Sequence, residues 1–339
     1  MADNHTLIKA EKVVALALGL LERESSLGAL VWKDAAGDFA GAAGDTVTIP
    51  VPAYVTANER ALRSGTARTK SNLAENKIAM VLDTDVYVDV EISDEQLNLD
   101  IADFGRQVMS PVTSAITRKI EDKLAALLAS PVDGYGNTLV YHTTLAHTVG
   151  TDSAYETAVD AREALNNARV PKEGRFLVVG SQMESAILKD PLFVEADKSG
   201  TTATRTDAVI GKIAGFSVVS SDSIAPDECY AAHRTAYALA TRAPKVPDSV
   251  AWGSVGSFGG YAIRSVKSFD STAVADMLQS DTWIGACAVT DAGSFDADGR
   301  FVPSATQLAT NDVEVDGATP TLDSEDARRL VRAVKITVA

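Results

Sequence analysis

The sequence predicts an α+β protein, and three observations carry the prediction. Residues 46–55 and 77–92 alternate polar and apolar side chains with the period of half-buried strands. One apolar stripe runs from Leu97 to Leu127 at helical spacing, and residues 176–226 read as strand, helix and hairpin in succession. The chain has 339 residues, 46% of them hydrophobic, enough for a sizeable core in one large domain or two smaller ones.

Val13 to Leu21 is a run of about nine mostly apolar residues flanked by Glu11, Glu22 and Glu24. It is too short for a membrane span and lacks a small-residue cleavage signal, so an amphipathic helix is expected. From Gly44 the chain turns to strands. Pro50 and Pro52 confine Thr46 to Val55 to an edge or irregular position, whereas Lys77 to Ile92 alternates more strictly. About twenty residues with few large apolar side chains separate the two, long for a passive loop in a compact domain. There Arg60, Arg63, Arg68, Lys70 and Lys77 outweigh Glu59 and Glu75, so a cationic segment sits in an acidic chain. Complementarity to a neighbouring copy follows; a solvated surface loop is the plainer alternative.

Ser93-Asp-Glu-Gln96 has the form of a capping box, with acids suited to a helix N-terminus. Leu97, Ile101, Phe104, Val108, Val112, Ile116, Ile120, Leu124 and Leu127 then recur every three or four residues, which predicts a helix to about Ala129. Pro111 should bend it and not end it, because the stripe keeps phase across the proline. At about 1.5 Å per residue the helix would span on the order of 55 Å. Without sustained heptads, a helix lying across a sheet fits better than a coiled coil.

Turn residues fill Ser130 to Gly136, and Ala158, Ala161 and Leu165 mark a helix from Tyr155 to Ala168 that Pro171 stops. Phe176 to Val179 has the composition of a buried strand, and a helix from Ser181 to Asp190 follows. In the hairpin at Gly211 to Val218, Gly211 and Gly215 stand where a tight connection needs positive φ or close backbone approach. Phe216, Val218 and Val219 supply its strand propensity. Cys229 to Ala240 reads as one further hydrophobic stretch. Beyond Pro244 and Pro247, Gly260 to Phe269 and Asp281 to Thr290 read as strands joined by a polar, partly helical link. Ser294 to Arg300 reads as a turn and Asp323 to Arg332 as a short helix before a final strand; the placement of residues 291–339 is open.

No residue pattern specifies a catalyst, a metal site or a cofactor site. A net charge of −15 argues against general nucleic-acid binding, which needs clustered Lys and Arg. Two cysteines, Cys229 and Cys287, make no disulfide framework and suit a reducing place of synthesis. His5, His142, His147 and His233 include no HExxH and read as surface or hydrogen-bonded residues. Asp296-Ala-Asp298-Gly299 lacks the later acidic ligand of a calcium loop and reads as a turn. Gly253 to Gly260 lacks the Gly-Lys-Ser ending of a phosphate loop and reads as a flexible connection. Asp83, Asp85 and Asp89 share one strand face and read as solvated, and Ser181 lacks a G-x-S-x-G context.

The succession Phe176 to Val179, Ser181 to Asp190 and the G-x-I-x-G-F-x-V hairpin at Gly211 to Val218 resembles the axial domain of tailed-bacteriophage major capsid proteins with the HK97-type fold. The resemblance implies an N-terminal arm (1–43), an extended loop with the first peripheral strands (44–92) and a spine helix of the peripheral domain (93–135). It further implies an axial α/β domain (136–247), peripheral return strands (248–290) and a C-terminal segment (291–339). It makes Ser93 the spine-helix cap, Pro111 its kink, and Gly211 and Gly215 the turn of a hairpin near a symmetry axis. It carries the 59–77 loop over an adjacent subunit, so that Arg60, Arg63, Arg68, Lys70 and Lys77 become contact candidates, and it allows the N-terminal helix to lie across a neighbour instead of on its own domain.

The function so implied is a non-enzymatic coat protein that self-assembles as pentamers and hexamers into an icosahedral head around double-stranded DNA, without sequence-specific binding and without a membrane. An acidic chain suits a wall along which DNA must slide. A scaffold protein, a portal and decoration proteins are the implied partners, with the product in the virion and its synthesis in the host cytoplasm. Part of the family crosslinks Lys to Asn, which nothing in the spacing here assigns. An encapsulin-like cellular shell holding an enzyme cargo is the alternative.

Overall fold

In the computed structural model the described residues are 14–15, 17–18, 26–33, 46–51, 59–60, 62–63, 67–68, 76–92, 108–190, 211–250, 252–270, 275–291, 293–296, 299–303 and 329–339. In chain order the elements are β1 (Thr46–Val51), β2 (Asn76–Val81), β3 (Thr84–Ile92), α1 (Ser110–Ala129), β4 (Val140–His147), α2 (Ala154–Asn167), β5 (Arg175–Val179), α3 (Ser181–Lys189), β6 (Lys212–Ile213), β7 (Phe216–Ser220), β8 (Glu228–His233), β9 (Tyr237–Arg242), β10 (Trp252–Phe258), β11 (Tyr261–Asp270), β12 (Ala275–Ala288), β13 (Gly293–Phe295), β14 (Phe301–Pro303) and β15 (Arg329–Val338). They form two units, each discontinuous in sequence: Met1–Val47, Val81–Ala129 and Tyr237–Ala286 make the first, and Thr48–Met80, Ser130–Ala236 and Cys287–Ala339 the second. Ser93, Lys70 and the predicted first half of the long helix, 93–107, lie outside the described residues.

The first unit is built on the sheet β10-β11-β12-β3, with β9 paired to β12. Val112, Ile116, Ile120, Leu124 and Leu127, the second half of the predicted stripe, are buried on α1, which lies against β3. Pro111 stands in the first turn of α1, directly after a π-type turn at Val108 and Met109, a position where a helix tolerates a missing N–H. Buried Glu121 on α1 binds the N-terminal segment. Its carboxylate accepts from Ser26 Oγ at 3.0 Å, Leu27 N at 2.8 Å and Gly28 N at 3.1 Å. Trp32 joins β9 by bonds to and from Tyr237 and Leu239, and Val14 and Leu18 pack so closely over Gly256 that a Cβ there would lie 2.7 Å from Val14. The described N-terminal residues therefore pack on their own unit.

The second unit holds a six-stranded mixed sheet in the order β4-β15-β8-β5-β7-β6. β5 runs parallel to β7 and antiparallel to β8. Leu165 of α2, Met183 and Ile187 of α3, Leu177 and Val179 of β5, and Phe216 of β7 share one buried cluster.

Several sequence expectations change here. Gly253 to Gly260 is no flexible connection: Trp252 to Phe258 pairs residue by residue with β11, its glycines admitting close neighbours. The link before residue 281 is not helical where described, since β12 already begins at Ala275. Cys229 to Ala240 is two strands with a turn at Arg234 to Ala236, and the second strand belongs to the other unit, so the expected 136–247 block ends at Ala236. Residues 329–332, expected at the end of a helix, open β15, which lies between β4 and β8 inside the sheet. β4 itself had no sequence counterpart.

Candidate assembly surfaces

The cationic segment is exposed wherever it is described. Arg60, Arg63 and Arg68 are exposed, and Lys77 lies in β2. Arg63 sits in a turn with φ of 64°, a left-handed conformation uncommon for a residue with a Cβ. Its neighbour Leu62 is 96% exposed. Charge made this segment legible in the sequence; a single leucine among arginines carried no pattern to draw attention.

The hairpin at Gly211 is a two-residue turn. Ile213 pairs with Phe216, and Ala214 and Gly215 have φ of 47° and 87°, positive at both central positions as a type I′ turn requires. Gly211, at φ of 68°, accepts from Val218 N at 3.0 Å at the open end of the pairing. Arg162 of α2 donates to Ala214 O at 2.9 Å and fixes the turn to the unit. All of these roles are conformational.

The outward face of the first unit's sheet is acidic and aromatic. Along β3, Asp85, Tyr87, Asp89 and Glu91 are exposed and alternate with inward Val86, Val88 and Val90. Register places Asp281 opposite Tyr87 and Trp283 opposite Asp85, so Tyr87 and Trp283 share the face. Asp281 is satisfied by a bidentate pair with Arg264. Asp83 is held by Lys123 at 3.1 Å and by Thr84 at 2.8 Å; burial opposes its charge, but these bonds prevail and lower its pKa. Asp85 goes the other way, raised by burial and by the carboxylates of Asp281 and Asp89 against the pull of Arg264.

The remaining polar groups serve the fold. A cavity of about 340 Å³ is lined by residues including His147, Ser153, Lys189 and Asp190. His147 Nδ1 lies 2.8 Å from Thr157 Oγ1, which donates to Ser153 O, and Ser153 Oγ donates to Asp190, so the N-terminus of α2 takes up these groups, whereas His147 Nε2 is buried without a hydrogen-bond partner. His233 bonds Glu173 O and Thr235 Oγ1, and burial lowers its pKa. Burial pushes both thiols up, Cys287 to about 12, so neither is a nucleophile. Asp296 Oδ1 accepts from Arg300 N at 2.7 Å in the β13–β14 turn. Among the described residues no group of three or more His, Cys, Asp or Glu is arranged to hold a metal ion, and no helix is long and apolar enough to cross a membrane.

The family model described as "Phage capsid protein" matches residues 84–289, the stretch from β3 through β12. The chain belongs to this family. It is a capsid shell protein, and its neighbours among solved structures give the HK97-type fold. The capsid protein is similar to a chain of Mycobacterium phage Che8 with TM-score 0.58 and 16% identity, covering 92% of this chain and 90% of that one. It is similar to the acid-stable capsid of Helicobacter pylori bacteriophage KHP30 with TM-score 0.53 and 10% identity, covering 100% and 93%. For the mature capsid of bacteriophage PhiM1 the values are 0.52, 12%, 93% and 87%. No curated protein matches the capsid protein in sequence.

Proposed function

We propose that this capsid protein is the major head protein of a tailed phage, tiling an icosahedral shell as pentamers and hexamers around double-stranded DNA. The observation that carries the reading is the exposed Arg60, Arg63 and Arg68 segment on a capsid-family chain of net charge −15. Identical acidic subunits repel one another, and a cationic segment reaching a neighbour offsets that repulsion and sets register. Lys70 and Lys77 extend the same segment. The acidic balance suits a container that holds DNA without sequence readout, with a scaffold, a portal and decoration proteins as partners, assembled in the host cytoplasm and ending in the virion. The role is structural and uses no cofactor.

Electron microscopy of purified particles with a nucleic-acid assay tests the reading. Icosahedral particles competent to package double-stranded DNA are expected; shells that hold an enzyme and no genome would transfer the protein to the cellular-shell class, and a monomer at every salt concentration would end the shell reading. Reversing Arg60, Arg63 and Arg68 together to Glu should block assembly or make it salt-sensitive, read as particle yield on sucrose gradients. Normal salt-resistant shells from that variant would refute the loop's role.

A further inference from the structure

We propose that the exposed cations at one end of the second unit's sheet, Arg169, Lys172 and Arg234, hold the phosphodiester backbone of the enclosed double-stranded DNA. The inference rests on the reading that the shell contains such DNA, and it names a contact that the acidic balance of the chain does not otherwise supply.

Two adjoining connections bring these side chains to one place. The segment between α2 and β5 carries Arg169 and Lys172, and the turn after β8 carries Arg234. Arg234 N donates to Gly174 O at 3.0 Å, His233 Nε2 lies 2.8 Å from Glu173 O, and a Cβ on Gly174 would lie 2.9 Å from Arg234 Cδ. All three cations are exposed, and among the described residues none has a hydrogen-bond or ion-pair partner for its side chain. Glu173 is the only carboxylate of residues 169–175.

The fold does not account for this charge. Arg169 has φ of 56° at the position that closes α2, where Val170 N donates to Leu165 O and Arg169 N to Asn166 O. Helices ordinarily give that left-handed position to glycine, because a Cβ strains it. A cation there is not needed for the helix end, since Arg175 already donates to Val170 O at 2.7 Å and to Pro171 O at 2.8 Å. Arg175 is itself 4% exposed and bonded only to neutral acceptors, so its charge adds to the excess, whereas Arg332 is committed to Asp291. His233 adds none: burial lowers its pKa, and the charges of Arg332, Arg175 and Arg234 push the same way. A local positive excess thus stands in a chain of net charge −15. Its surroundings select phosphate over a protein surface. A protein contact has an apolar centre, and no large hydrophobic side chain of residues 169–175 or 233–236 is exposed. Guanidinium forks and an ammonium without such a centre suit backbone phosphates, a contact that carries no sequence readout.

The test titrates unassembled full-length protein with a short, fluorescently labelled DNA duplex over a range of salt. Changing Arg169→Gln, Lys172→Gln and Arg234→Gln together should weaken binding by roughly tenfold or more and flatten the dependence of log K on log salt by about two to three. Arg118→Gln with Lys119→Gln, exposed on α1, removes charge elsewhere and should leave both nearly unchanged. A parent that binds no duplex at low salt, or a triple variant with the parent's affinity and slope, would overturn the inference. Polyglutamate is the second probe: tighter binding of it than of the duplex would give the site to an acidic protein segment and would equally overturn it. Ultraviolet crosslinking of DNA-filled parent particles needs no variant. Nucleotide adducts should map to peptides holding residues 169–175 or Arg234; adducts confined to other peptides would overturn the contact while leaving the container reading intact, and particles that hold no DNA would end that reading instead.

Discussion

The two sheets of this protein treat their second faces differently. In the second unit all five residues of β5 are buried, and on β8 only Glu228 is not fully so. In the first unit β3 buries Val86, half-buries Val88 and Val90, and exposes Asp85, Tyr87, Asp89 and Glu91 between them. A strand covered on both faces reads as a continuous apolar run, and one covered on a single face reads as alternation. The difference is one of cover: the sealed sheet is packed on both faces within its unit, and the open one presents a patterned, exposed face.

The largest effect expected from breaking this contrast lies in β5. Leu177 is fully buried within the second unit's cluster, so Leu177→Ala should cost about 3 kcal/mol in denaturant unfolding. The matching truncation on the open face, Tyr87→Ser, should move unfolding by no more than about 0.5 kcal/mol. Equal stability losses at the two positions would show that β3 is packed in the monomer and would remove the distinction.

A smaller effect is expected where Glu121 holds the N-terminal segment. Glu121→Ala leaves Leu27 and Gly28 N–H groups buried without their acceptor, a loss of about 2 kcal/mol in thermal unfolding. Glu121→Gln keeps one acceptor oxygen and should recover part of it. No change in either variant would mean that this carboxylate does not hold the segment.

The same contrast explains what was legible in the sequence. Alternation from Lys77 to Ile92 marked β3 but ran it together with β2, a separate strand that pairs with β1 in another sheet, and the stripe from Val112 to Leu127 marked α1; β3 and α1 each have one exposed face to give them a period. The sealed elements were harder. β8 and β9 merged into one stretch because Arg234-Thr-Ala236 is a weak turn signal between two buried strands. β10 looked like a loop because Gly253 and Gly256 are there for close packing under Val246, Val14 and Leu18, not for turning. β15 lay beyond a polar stretch, and its central place depends on long-range pairing with β4 and β8 that no local pattern encodes. Of the candidate surface, the arginines were legible as net charge. Leu62 and the Tyr87–Trp283 patch needed exposure and register to be seen.

The smallest effects separate one ion pair in each unit. Lys335 on β15 lies 2.6 Å from Glu228 on β8, with side chains 23% and 18% exposed, whereas Lys123 and Asp83 are 31% and 59% exposed. Burial alone would raise the Glu228 pKa, but hydrogen bonds from Lys335 and Tyr230 outweigh it and hold the carboxyl below its ordinary value near 4.5. The unfolded chain therefore takes up the proton more readily than the folded one. The pair's contribution is fully present above the ordinary carboxylate value and is lost as pH falls through the lowered folded value. Glu228→Gln should accordingly be less stable than the parent by no more than about 1 kcal/mol at neutral pH, a gap that closes as the pH falls below about 4. Asp83→Asn should show the same sign with a smaller gap, because water screens the more exposed pair. Chemical denaturation of both variants across that range measures the two gaps. A larger gap at Asp83 would mean that its pair with Lys123 is drier than its exposure implies.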